Sequence, residues 1–136
     1  MAEISISLRN LTKMYGSTMG IEDVTFDVFR GEVMGFLGPN GAGKTTAIRT
    51  LLGLIKATCG SASILGENAL IPNVELKRKI GYLPGIAATY ENYTAKGYLQ
   101  FIARVRQLNL DNEIEVLAER LDLDLAIHIN DLSKGS

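Results

Sequence analysis

The sequence has no tryptophan, a single cysteine and three prolines among its 136 residues. The one cysteine, Cys59, cannot form a disulfide within the chain, so we expect a reducing, cytoplasmic environment. Basic and acidic residues nearly balance, 14 against 15, and leave a formal net charge of -1. So small a charge produces no overall field that would attract nucleic acid or an anionic membrane surface. We therefore expect no nucleic-acid partner.

Long apolar runs are also missing. The longest segments, such as residues 51–55, are far too short to cross a bilayer. At the N-terminus, Ile4, Ile6 and Leu8 alternate with polar residues, which is typical of a half-buried strand and not of a signal peptide. We therefore expect one domain by length, which reaches a membrane only through partner proteins.

The hydrophobic pattern predicts an α/β fold. Alternation predicts N-terminal strands near residues 4–8 and 24–28, and a short strand at 62–65. The apolar runs Val33–Leu37 and Ile80–Leu83 predict further strands, the first of them buried on both faces. Apolar residues at helical spacing then predict helices over 44–54 and 72–79, one capped by Thr94, and one capped by Asp111 or Asn112.

A glycine-rich segment lies between the run Val33–Leu37 and the first predicted helix. It fits the P-loop pattern of Gly, four residues, Gly-Lys and Ser or Thr. The glycines allow successive backbone N–H groups to point inward, and the loop opens into a helix N-terminus, where phosphate binds favourably. The pattern predicts a phosphate site formed by Gly38, Pro39, Asn40, Gly41, Ala42, Gly43, Lys44, Thr45 and Thr46.

Three side chains of this segment have predicted roles. Lys44 can reach the β- and γ-phosphates, the Thr45 hydroxyl can bind Mg²⁺, and Thr46 adds a hydroxyl near the α-phosphate. A P-loop alone is shared by GTPases, kinases and transport ATPases. The sequence contains no Asn-Lys-x-Asp segment of the kind that reads guanine, which argues against a GTPase.

The segment GFLGPNGAGKTTAIRTLLGLIKATCGSASILG resembles the ATP-binding domain of ABC transporters. The stretches Leu11–Gly16 and Arg30–Val33 are similar to the same family. The resemblance implies a P-loop NTPase-type fold, ATP and Mg²⁺ as ligands, and stacking of Tyr15 on the adenine ring. Ile80–Pro84 resembles the strand before the family's Q-loop, but Gly85 stands where Gln is usual. The resemblance therefore implies a docking loop without the catalytic side chain.

The C-terminal LSKGS resembles the family's signature motif, with Lys134 and Ser136 as departures. The resemblance divides the chain into a nucleotide-binding, β-rich core with the P-loop at 1–93 and a helical subdomain at 94–136. It covers only the first part of the family's domain and stops before the acidic strand that helps to hold Mg²⁺. We therefore expect no catalytic residue in this chain, and an exposed P-loop strand that favours self-association.

The resemblance implies the ATPase subunit of an exporter-type ABC transporter. Its partners would be membrane-spanning transporter subunits and a second ATP-binding subunit, in a homodimer or a heterodimer. It would be cytoplasmic and peripheral on the inner face of the cell membrane. Two alternatives stay open: a non-catalytic ATP-binding or dimerisation module, and a different P-loop enzyme.

Overall fold

The computed structural model describes residues 3–84 and 93–131. The chain forms two compact units, one that ends at Ile80 and one that begins at Gly81. The predictions for Gly85, for residues 90–92 and for the LSKGS segment lie outside the described residues. The proposed division at residue 93 stays a prediction.

A four-stranded antiparallel sheet dominates the first unit, in the order β2-β1-β3-β4. Its strands are β1 Ile4–Tyr15, β2 Thr18–Phe29, β3 Cys59–Ile64 and β4 Glu67–Asn68. The first two strands are longer than the alternation predicted and form a hairpin. Gly16 begins the two-residue turn of this hairpin at φ 59°, a conformation that glycine adopts without steric cost.

Irregular pairing shapes the β1–β2 hairpin. Asn10 and Asp23 both have positive φ, and the Asn10 amide donates a hydrogen bond to the Asp23 carboxylate. Nearer the turn, Lys13 pairs with Ile21 while Met14 pairs with Met19. Gly20 is therefore an extra residue in β2, a bulge that bends the strand locally. The sequence alone gave no indication of this bulge.

Two helices complete the first unit: α1 Lys44–Leu51 and α2 Val74–Arg78. The first ends three residues earlier than predicted and buries Ala47 and Thr50. The second is capped by Asn73, whose side chain accepts a hydrogen bond from the Leu76 N–H. The buried core joins the helices to the sheet and consists of Leu8, Leu11, Ile21, Ala47, Ala62, Ile64, Ala69 and Leu76.

Two predicted strands are absent from the structure. Residues 33–37 and 80–83 are not strands, and the side chains of Val33, Leu37 and Leu83 are 98%, 92% and 87% exposed. A strand forms only where a neighbour accepts its backbone hydrogen bonds, and none of the described residues pairs with either segment. The predictions of strands at 33–37 and 80–83 were wrong, and so was the expectation that 33–37 is buried on both faces.

The second unit contains α3 Ala95–Val105, α4 Asp111–Arg120 and a short 3₁₀ helix, Ile129–Asp131. Thr94 caps α3 as predicted, because its hydroxyl accepts a hydrogen bond from the Gly97 N–H at 3.1 Å. The predicted cap of α4 was wrong: Leu110 is the N-cap, and the Asp111 carboxylate accepts a hydrogen bond from Gln100 instead. None of the helices in the described ranges is long and apolar enough to span a bilayer.

Candidate nucleotide site

The glycine-rich loop runs directly into α1. Gly41 and Gly43 both adopt φ 84°, and the Pro39 carbonyl accepts a hydrogen bond from the Ala42 N–H at 3.2 Å. Gly43 is the N-cap of α1 and has no side chain to cap the helix, and the first turn carries no acidic residue. The first N–H groups of a helix have no acceptor within the helix. This end of α1 therefore presents donors and partial positive charge to an anion.

Gly43 approaches the sheet at the bulge. A β-carbon at this position would collide with the Gly20 carbonyl oxygen and lie 2.5 Å from Cγ2 of Ile21. Only glycine satisfies both this contact and the left-handed backbone. The contact fixes the loop against the end of the β1–β2 hairpin.

The Lys44 side chain folds back over the loop. Its Nζ donates hydrogen bonds to the carbonyl oxygens of Gly38 at 2.6 Å and Pro39 at 2.7 Å. The ammonium is thus held against the loop, and Lys44 lines the cleft. A cation in this position adds to the attraction for phosphate.

Most of the predicted ligand residues line one cleft of about 380 Å³. The structure brings together Tyr15, Asn40, Gly41, Gly43, Lys44, Thr45 and Thr46. Gly38, Pro39 and Ala42 belong to the same loop but do not line the cleft. Met19 and Gly20 line it and were not predicted, because the bulge that places them there depends on strand pairing.

Tyr15 is the aromatic residue that lines the cleft. The residue is 46% exposed, and its ring lies close to the bulge. A β-carbon on Gly20 would lie 2.8 Å from Cε2 of Tyr15 and 3.2 Å from Cγ2 of Thr46. The absence of a side chain at Gly20 therefore lets the aromatic ring and α1 pack closely against the bulge.

Charged pairs lie on the sheet, outside the cleft. The Arg9 guanidinium donates a hydrogen bond to the Asp27 carboxylate at 2.7 Å. This hydrogen bond and one from Ser7 stabilise the carboxylate and hold the pKa of Asp27 below its ordinary value. Lys79 and Asn73 lower the pKa of Glu67 in the same way. Within residues 3–84 and 93–131, no group of three or more His, Cys, Asp or Glu could hold a metal ion.

A glycine-rich loop that opens into a helix beside a sheet, in an α/β chain, defines a P-loop NTPase-type protein. A family model described as "ABC transporter" matches residues 21–136. The chain therefore belongs to the ABC transporter family and corresponds to its ATP-binding subunits.

Three similar proteins agree with this assignment. The bacitracin transport ATP-binding protein BcrA of Bacillus licheniformis is 42% identical over 118 residues, which cover 87% of this chain and 39% of that protein. The SkfA peptide export ATP-binding protein SkfE of Bacillus subtilis is 39% identical over 99 residues, or 73% of this chain and 41% of that protein. A solved ATP-binding subunit of an ABC transporter superposes with a TM-score of 0.82 at 30% identity, and covers 96% of this chain and 57% of that one. The chain thus spans about two fifths of the length of these two curated relatives. The match to the solved subunit confirms the expected α/β, P-loop NTPase-type fold.

Proposed function

We propose that the chain binds ATP with Mg²⁺ at the cleft between Tyr15 and the loop Gly38–Gly43. The observation that carries the proposal is that a partly exposed aromatic residue and an uncapped helix start line the same cleft. An aromatic face suits a base, and a helix start with a nearby ammonium suits phosphate.

The residues present fit this ligand. The N–H groups at the start of α1 and the Lys44 ammonium would hold the phosphates, and the Thr45 hydroxyl would be the chain's ligand to Mg²⁺. Bound Mg²⁺ would neutralise phosphate charge. Tyr15 would stack on adenine.

We further propose that the chain serves in an ATPase subunit of an exporter-type ABC transporter. Membrane-spanning subunits and a second ATP-binding subunit would be its partners, and it would lie at the inner face of the cell membrane. The names of the two relatives, which refer to bacitracin transport and peptide export, support this direction. We assign binding, and not activation of water, to the residues of this chain.

Calorimetric titration with ATP, with and without Mg²⁺, tests the proposal. We expect binding by the wild-type chain that is lost in Lys44→Ala, since the variant lacks the cation beside the loop. Lys56→Ala, which removes an exposed lysine from a different cleft, should bind as the wild type does. Equal affinities in all three proteins would refute the site. Phosphate release that disappears in Lys44→Ala would show that the chain also hydrolyses ATP.

A further inference from the structure

We propose that Lys13 is a positioning residue that holds the Tyr15 ring for base stacking, an inference that rests on the proposed nucleotide site. The Lys13 Nζ lies 5.0 Å from the centroid of the Tyr15 ring. This separation is within the range of a cation–π contact, in which an ammonium is attracted to the negative face of an aromatic ring. Neither the motif nor the comparisons assign a role to this lysine.

The strand places the two side chains together. Lys13 and Tyr15 are two residues apart on β1, so they leave the strand on the same face. Lys13 forms no ion pair with a carboxylate anywhere in the described part of the chain. The Lys13 ammonium therefore contacts the Tyr15 ring with no carboxylate competing for it among the described residues.

The ammonium contacts the ring without forming part of the cleft lining. Tyr15 lines the cleft, whereas Lys13 is absent from the described residues that line it. The cation can therefore support the ring without occupying the cleft in which a base would bind. Because Tyr15 is about half exposed, its ring would otherwise rotate among side-chain conformers, and binding would have to restrict that freedom.

This arrangement makes Lys13 act through Tyr15 and not through the phosphates. An ammonium that helped by its charge alone would strengthen binding of any polyphosphate. One that orients the ring strengthens only ligands that carry a base. Inorganic tripolyphosphate and ATP therefore distinguish the two roles.

The experiment is calorimetric titration of ATP and of inorganic tripolyphosphate into the full chain and its Lys13→Met variant. We expect ATP affinity to fall about two- to five-fold, as for loss of an exposed cation–π contact, with tripolyphosphate affinity unchanged. Lys13→Arg should restore ATP affinity, because a guanidinium also binds an aromatic face. In a Tyr15→Leu background, Lys13→Met should have no further effect. Lys56→Met is the matched control for loss of one positive charge, and thermal unfolding of each variant checks the fold.

Four results would overturn the proposal. An equal fall in the affinities for both ligands would assign Lys13 a general electrostatic role. Unchanged or tighter ATP binding by Lys13→Met would show that the ammonium does not support stacking. A wild-type chain that binds tripolyphosphate but not ATP would refute the base subsite, whereas one that binds neither would refute the phosphate site as well.

Discussion

Gly20 and Gly43 meet where the hairpin touches the phosphate loop: a β-carbon on Gly43 would overlap the Gly20 carbonyl oxygen. Gly20 is the bulged residue of β2, and Gly43 is the residue from which α1 starts. The contact joins the strand pair that carries Tyr15 to the loop that leads into Lys44 and α1. The hairpin and the loop can approach this closely because both residues are glycines.

Gly43→Ala should lower the free energy of unfolding by about 2 kcal/mol or more, because it combines a left-handed backbone with overpacking. Gly41→Ala is the matched control: it has the same φ of 84° but no atom within 4 Å of an added β-carbon. We expect only about 1–2 kcal/mol for this control, from the backbone alone. Urea unfolding followed by circular dichroism measures both. Equal losses in the two variants would contradict the close contact at Gly43.

Thr45→Val should weaken the dependence of ATP binding on Mg²⁺. The variant keeps the size of the side chain but removes the hydroxyl, so the gain in ATP affinity on adding Mg²⁺ should shrink by about tenfold, the scale of one lost bond to a charged group. Binding without Mg²⁺ should change little. Calorimetry with and without the metal measures both quantities, and Thr45→Ser should behave as the wild type. A variant with an undiminished Mg²⁺ response would remove Thr45 from the metal site.

Acid should destabilise the sheet through Asp27. The pKa of the Asp27 carboxyl is lower in the folded protein than in the unfolded chain, because Arg9 and Ser7 donate hydrogen bonds to the carboxylate. The ion pair therefore contributes stability above the unfolded pKa of about 3.9, and the contribution is lost as pH falls through that value toward the lower folded pKa.

Asp27→Asn should flatten this dependence, measured as the free energy of urea unfolding at a series of pH values. Glu22→Gln provides the matched control, since it removes a carboxylate of the same strand that has no ion pair among the described residues. A steep acid dependence that survives in Asp27→Asn would assign the effect to other groups.

The exposed segment Val33–Leu37 should drive self-association. Its outward apolar side chains and unpaired backbone are the features by which sheet edges recruit other chains. Sedimentation velocity should show association that rises with concentration for the wild type and falls in Val33→Lys with Leu37→Lys. The control pair, Ile71→Lys with Val74→Lys, removes two other exposed apolar side chains. Equal association in both double variants would show that the segment has no special role.

The sequence predicted the loop, the helix after it and the α/β class, because each depends on residues close together in the chain. Residues 38–46 include the glycines that form the turn and the first residues of α1, and Thr94 caps α3 with its own side chain. The segment Val33–Leu37 was predicted incorrectly, because an apolar run indicates hydrophobicity but not which neighbour will pair with it. The bulge at Gly20 was missed for the same reason: register belongs to two strands at once. The proximity of Tyr15 to the loop was expected only from the family resemblance.

The C-terminus of α1 has a side-chain hydrogen-bond partner, whereas its N-terminus has none among the described residues. Lys77, on α2, donates a hydrogen bond from Nζ to the Leu52 carbonyl at 2.8 Å, just beyond the last turn of α1. A cation already compensates the negative end of the helix dipole, whereas no acidic side chain compensates the positive end. A bound anion would thus complete the electrostatics of the helix. Ligand binding and folding are then thermodynamically linked, and the melting temperature becomes a readout of nucleotide concentration.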